Sequence, residues 1–232
     1  DFSCYGQKLF KPPNIDRMAA AGMKFTQHYA GSTVCAPTRC SLLNGVHTGH
    51  AFVRGNREVQ PEGQAPIPAD LITIPKLLKE AGYTTGMFGK WGLGAPGSSG
   101  DPVNQGWDEF YGYNCQRQAH TFYPKHLWHN DKKVMLDGET YSHDLIHEHS
   151  LKFIRDNAES PFFAYLPITI PHAAMQCPEE DVAPFRKKFP QFEDLIGKYS
   201  HGTRVTNPVA AFAGMMTRMD RGIGELLDLL NE

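Results

Sequence analysis

Hydrophobic positions recur along the chain with two periods, and glycine and proline punctuate the changes between them. Pro13-Asn14 predicts the opening of a short helix that runs through Ala21 and is stopped by Gly22. Met23 to Tyr29 then alternates as a strand, with Phe25 and Tyr29 among its inward candidates. Pro37 suits the first position of a helix over Arg39 to Asn44, ended by Gly45. Thr73 and Pro75 start another over Lys76 to Ala81, closed by Gly82, and Thr84 to Phe88 reads as a short buried strand leading into the turn Gly89-Lys90-Trp91-Gly92-Leu93-Gly94. Residues 95–137 are rich in Gly, Pro, Asn and aromatics, which predicts a long, structured surface excursion. Asp144 to Asn157 has a helical pattern, and Pro161 to Ile170 is an apolar run fit for a strand buried on both faces, ending at Pro171-His172. From Pro208 the apolar residues Phe212, Met215, Met216, Met219, Ile223, Leu226, Leu227 and Leu230 repeat at helical spacing, and the methionines read as core. Alternating helices and strands imply an α/β layered fold with a mainly parallel central sheet flanked by helices, whose functional residues lie beyond the carboxyl ends of strands. Without internal repeats or low-complexity tracts, the 232 residues read as one domain.

Composition changes this picture little. The apolar fraction of 41% is ordinary for a globular domain, and a net charge of −2 without single-sign runs excludes a nucleic-acid or anionic-membrane footprint. No stretch approaches the ~20 apolar residues of a membrane span, and the N-terminus lacks a basic-then-apolar leader pattern. The five cysteines, Cys4, Cys35, Cys40, Cys115 and Cys177, form no C-x-x-C, which argues against zinc ribbons and thioredoxin chemistry. Among the histidines, His143, His147 and His149 cluster around Glu148; His143 and His147 would share a helix face, as a metal pair or as singly hydrogen-bonded side chains.

The stretch that carries chemistry is Ser32-Thr33-Val34-Cys35-Ala36-Pro37-Thr38-Arg39-Cys40-Ser41-Leu42-Leu43-Asn44-Gly45. Cys35 falls just ahead of a helix whose free N–H groups favour negative charge, and Arg39 can reach back toward it. A thiol there is a low-pKa nucleophile. By spacing alone, Cys35 is equally a small buried apolar residue and Arg39 a surface partner for a carboxylate.

The pattern C-x-P-x-R followed by two leucines and a glycine resembles the motif of the type I, formylglycine-dependent sulfatases, the arylsulfatase family. Gly82-Tyr83-Thr84-Thr85 and Gly89-Lys90-Trp91 are similar to that family's second motif, and the likeness extends through Cys4-Tyr5-Gly6, Pro13-Asn14-Ile15-Asp16, Gly22-Met23-Lys24-Phe25-Thr26, Ile170-Pro171-His172 and Met219-Asp220. The resemblance implies an alkaline-phosphatase-like sandwich and a sulfuric ester hydrolase. Cys35 would be oxidised to formylglycine by a formylglycine-generating or anaerobic sulfatase-maturing enzyme. Its hydrate would lie on Ca²⁺ or Mg²⁺, making residue 35 a metal ligand as well as the nucleophile. Arg39 would support the formylglycine, Lys90 would pair with sulfate oxygens, and His172 would hydrogen-bond or protonate the sulfate ester. The substrate would be an aryl sulfate or a sulfated carbohydrate, and the family suggests a periplasmic or secreted protein.

Two departures from the family pattern stand out. The second motif commonly continues with a histidine that contacts sulfate, where this chain has Gly92; His120 is the candidate replacement. The family's paired aspartates and Asp-Asn pair, both metal ligands, match no part of this chain, and no Asp-Asp occurs in it. The expectation is therefore a partial catalytic domain, truncated at both ends, inactive and poorly stable alone, without a complete set of hard oxygen ligands. Three other readings stay open: a phosphoester or phosphonate hydrolase of the alkaline phosphatase superfamily, a non-catalytic sulfated-glycan-binding protein, and a cysteine hydrolase using an unmodified thiolate. The aromatics Trp107, Phe110, Tyr111, Tyr113, Phe122, Tyr123 and Trp128 suit stacking on sugar or aryl rings and suit core packing equally.

Overall fold

The computed structural model describes residues 2–200 and 202–232, which form two compact units. One comprises Tyr29–Ala119 and Tyr123–Thr169; the other comprises the chain up to His28, His120–Phe122 and Ile170–Glu232.

The first unit is a sheet with helices. Its strands are β1 (Thr84–Lys90), β2 (Glu109–Tyr113), β3 (His126–His129), β4 (Lys132–Met135) and β5 (Phe162–Tyr165), in the order β4-β3-β2-β1-β5. β1 pairs in parallel with β2 and β5, while β3 and β4 extend the sheet as an antiparallel hairpin. The parallel centre bears out the α/β reading, and it aligns the carboxyl ends of β1, β2 and β5 at one edge. α2 (Cys35–Asn44), α3 (Ile74–Glu80) and α4 (Ser142–Asp156) complete the unit. α4 approaches β1 closely enough that a Cβ on Gly86 would stand 2.8 Å from the Phe153 ring, so glycine is required there. The core joins Ala36, Cys40 and Leu43 of α2 to Met87, Trp91, Leu93, Trp107, Phe110 and Trp128. Each such large side chain, once buried, contributes roughly 1.5–3 kcal/mol.

The second unit holds α1 (Pro13–Ala21), α5 (Glu179–Lys188), a hairpin of β6 (Ile196–Lys198) and β7 (Arg204–Thr206), and α6 (Pro208–Leu229). α6 buries Met215, Met216 and Met219, as its periodicity predicts. α1 has no side-chain cap of its own; the buried Asp220 of α6 accepts from Asn14 N (3.1 Å), Asn14 Nδ2 (3.0 Å) and Ile15 N (2.7 Å), so a carboxylate 205 residues away closes its first turn. Asp181 of α5 likewise receives Arg221 Nη2 at 2.5 Å and Arg218.

Several local expectations are corrected. Met23 to Tyr29 is not a strand: Met23, Phe25 and Tyr29 are exposed, and no described strand pairs with them, without which alternation alone does not make a strand. The run from Pro161 shortens to β5, a half-buried edge strand, because Pro167 cannot donate to a ladder. Residues 95–137 contain β2, β3 and β4, and most of their aromatics are core: Trp107, Phe110, Tyr111, Tyr113 and Trp128 are buried, as is Phe122.

Candidate functional site

α2 begins at Cys35 itself rather than after it, with Val34 as an extended N-cap that supplies no side-chain bond. Cys35 therefore occupies the first helical position, where unpaired N–H groups and the helix dipole meet. Asn56 takes up part of that role: its Oδ1 accepts from Ala36 N at 3.0 Å, and its Nδ2 faces Cys35 Sγ at 4.0 Å. Nothing in the sequence around Asn56 signals this placement.

Arg39, one turn along α2, donates from Nη1 to the Lys90 carbonyl at 2.5 Å, which ties the helix to the carboxyl end of β1. Its Nε is buried without a partner. Burial lowers the Arg39 pKa, offset in part by Tyr165 and Cys35. Lys90 is buried at the end of β1, with its backbone N–H on the Pro167 carbonyl at 3.0 Å. Its pKa is also lowered, by burial and then by Arg39, while charge and hydrogen bonding at Cys35 act the other way. Two desolvated cations are coupled to one sulfur atom, which makes the local field favour negative charge. The structure thus brings Cys35, Arg39 and Lys90 together.

Beyond the carboxyl end of β2, Asn114 and Gln116 are buried, and both polar atoms of the Asn114 amide and Oε1 of Gln116 lack partners. Their signal in the sequence is weak, since burial of a polar amide depends on the register of β1 with β2. Gln116 explains Gly92: the residue sits at φ 84°, and a Cβ there would overlap the Gln116 amide, with Cδ only 2.5 Å away. A cavity of about 440 Å³ opens beside Asn56, lined by Phe52, Val53, Arg54, Gly55, Asn56, Arg57 and Ala65.

In the other unit, His172 and His120 stack with ring centroids 5.4 Å apart and planes 7° apart, and the Tyr199 ring stands edge-on to both. His172 Nδ1 lies 2.7 Å from the Ala173 carbonyl, so the Nδ1–H tautomer is the one that bonds, leaving Nε2 as an acceptor. His143 and His147 of α4 also stack, at 6.2 Å.

The family model described as Sulfatase matches residues 1–232. The chain belongs to the sulfatase family. This sulfatase chain is 40% identical to human steryl-sulfatase over 121 residues, 48% of the chain and 21% of that protein. It is 29% identical to rat N-acetylgalactosamine-6-sulfatase over 263 residues, 99% of the chain and 44% of that protein. It thus spans less than half the length of these curated relatives. Among solved structures, Ps i-CgsB in complex with k-i-k-neocarrahexaose superimposes with a TM-score of 0.81 at 27% identity, over 99% of this chain and 51% of that one. A phosphonate monoester hydrolase of Agrobacterium radiobacter, at 17% identity and a TM-score of 0.62 over 99% of this chain and 56% of that one, shares the fold.

The sulfatase family is metal-dependent, and the fit of a hard cation at Cys35 can be tested on the donors present. Among the described residues, the one group of three or more His, Cys, Asp or Glu side chains able to share an ion is Glu109, His129 and His149, which does not include Cys35. With Arg39 and Lys90 as its charged neighbours, the described surroundings of Cys35 do not fit Ca²⁺ or Mg²⁺, which require several oxygen ligands.

Proposed function

We propose that the chain carries the nucleophile and sulfate-binding cations of a sulfate ester hydrolase acting on a sulfated carbohydrate. The observation that carries the reading is the convergence of Arg39 and Lys90, both desolvated, on Cys35 at the first residue of α2. Matured to formylglycine by a dedicated enzyme, residue 35 would supply, as its hydrate, one hydroxyl whose oxygen attacks sulfur while the bond from sulfur to the ester oxygen breaks and the protonated alcohol leaves, and a second whose deprotonation cleaves the C–O bond to the transferred group, expelling sulfate and restoring the aldehyde. Arg39 holds that side chain and the end of β1 in one arrangement; Lys90 neutralises sulfate oxygens; His172, when its ring is protonated at Nε2 with Nδ1–H kept on the Ala173 carbonyl, would hydrogen-bond or protonate the ester oxygen, with His120 stacked beside it. The Ca²⁺ or Mg²⁺ that the family implies finds no set of oxygen ligands among the described residues around Cys35, so the roles given to Arg39, Lys90 and His172 rest on their own side chains. A carbohydrate rather than a simple aryl sulfate is favoured by the cavity beside Asn56, whose Arg54 and Arg57 suit a polyanionic ligand. It is also favoured by likeness, at 27% identity, to a protein solved with its substrate D-Glucosamine-2-N, 6-O-disulfate, with a TM-score of 0.66 over 81% of this chain and 35% of that one.

The test is mass spectrometry of the position-35 peptide from enzyme co-expressed with a maturing enzyme, alongside paired assays on sulfate and phosphate esters. The expected result is an aldehyde that reacts with hydrazide, sulfate ester turnover, and loss of both on Cys35→Ala. An unmodified thiol in fully active enzyme would sink the mechanism, and preference for phosphate esters would favour the phosphoester reading.

A further inference from the structure

The structure assigns a metal site, for a transition ion such as Zn²⁺, to Glu109, His129 and His149. The three residues come from β2, β3 and α4, and sheet geometry explains why they meet. Glu109 and Tyr111 are two apart on β2 and share a face; His129 of β3 stands opposite Tyr111 in the antiparallel register, so it lies diagonally across from Glu109 on that face. α4 covers this face, and His149 stacks on Tyr111 with ring centroids 3.6 Å apart and planes 11° apart. The Tyr111 ring also meets His129 edge-on at 5.8 Å, so one aromatic positions both imidazoles.

The polar atoms converge without bonding one another. Glu109 Oε1 is 3.8 Å from His129 Nε2 and 3.8 Å from His149 Nδ1, and the three ligand atoms lie within 4.8 Å of each other. A separation of 3.8 Å is too long for a hydrogen bond. It is close to the spacing of two donors on one tetrahedral ion, roughly 3.4 Å for metal–ligand bonds of about 2.1 Å. A shift of a few tenths of an ångström would place all three on a common centre. Two imidazoles with one carboxylate suit Zn²⁺ and its neighbours better than Ca²⁺ or Mg²⁺. The side chains are 28%, 42% and 28% exposed for Glu109, His129 and His149, which leaves room for a water as fourth ligand. Lys152 is the nearby cation that acts on Glu109, and it is already paired with Asp156 on its own helix.

The site is separate from the proposed sulfate pocket. Glu109 pairs with Gly86, whereas Lys90, four residues along β1, pairs with Tyr113, which puts the two places at opposite ends of the parallel strands, about 13 Å apart along β1. An ion here would join the hairpin edge of the sheet to α4 and serve structure.

The experiment uses the intact protein, stripped with EDTA, restored with Ca²⁺ in excess, then equilibrated with Zn²⁺ or Co²⁺. The expected result is one Zn²⁺ per chain by elemental analysis and tetrahedral ligand-field bands with Co²⁺. Both should be lost in the His129→Ala/His149→Ala double variant, and affinity should fall at least tenfold in Glu109→Gln. Thermal unfolding should shift upward with Zn²⁺ in the parent and not in the double variant. Glu109→Gln, which keeps its shape, should unfold with the parent in EDTA, confirming that it folds. Equal Zn²⁺ stoichiometry in parent and double variant, or no Zn²⁺ bound by the parent, would overturn the assignment.

Discussion

Replacing Gly92 by alanine tests whether Gln116 is the reason this chain lacks the histidine that commonly follows Lys-Trp in its family. Two costs are expected. The φ of 84° is a left-handed conformation, which costs a residue with a Cβ roughly 1–2 kcal/mol. The new Cβ also meets the buried Gln116 amide, with Cδ at 2.5 Å, and overpacking of this kind costs about 1–3 kcal/mol. Gly92→Ala should therefore lose about 2–5 kcal/mol. Gln116→Ala should cost less, because it removes a buried Oε1 without a partner, which returns part of a desolvation penalty of about 1–3 kcal/mol, and gives up only the long 3.5 Å bond from Nε2 to the Gly92 carbonyl. In the double variant only the backbone strain remains, so the cycle should show a favourable coupling of about 1–3 kcal/mol. Urea denaturation of the four proteins, checked for equal m-values, measures it. Additive single effects would refute the steric account and leave Gly92 as a purely conformational requirement.

Two further outcomes follow from other parts of the fold. Asp220→Ala removes the distant cap of α1 and leaves Ile15 N–H without its acceptor, so it should cost about 2–3 kcal/mol in denaturant unfolding, partly recovered by Asp220→Asn; a loss below about 0.5 kcal/mol would contradict the capping role. At Asp108, burial raises the pKa, but hydrogen bonds from Lys79 and Thr85 outweigh it and hold the carboxylate below its ordinary value of 3.8. A depressed acid stabilises the fold fully above the unfolded-state value and loses that contribution as pH falls through the folded-state value. The stability gap between parent and Asp108→Asn should accordingly be constant above about pH 5 and close below pH 4. A gap unchanged down to pH 2 would contradict this.

What was legible in the sequence was what neighbouring residues decide. α1, the start of β1 and α6 were read close to their true bounds because Pro, Gly and helical spacing act within one or two turns. The start of α2 moved two residues ahead of Pro37, which changed Cys35 from a residue before the helix to its first member. What was not legible depends on pairing. Met23 to Tyr29 alternates as a strand should, yet pairs with no described strand; the segment read as an excursion holds three strands because β1 and β3 offer β2 two edges. α5 and the β6–β7 hairpin leave little mark on the sequence, since α5 has Pro184 inside it and the hairpin strands are only three residues each.

The same division runs through the site. Cys35 and Arg39 lie on one helix, so their association is a local matter, and Lys90 enters through a second motif that ends a strand. Asn56, Asn114 and Gln116 become neighbours of that site only through the meeting of α2 with a loop and of β1 with β2, which no spacing rule anticipates. Glu109, His129 and His149 make the point most sharply. The histidine pair expected on α4, His143 with His147, follows from helical spacing, whereas the cluster with metal-ligand geometry takes one residue from each of three elements. A helix can place two ligands side by side by itself; fixing a third requires the register of a sheet and the packing of a helix on its face, so the ion that would hold them reports on the tertiary fold.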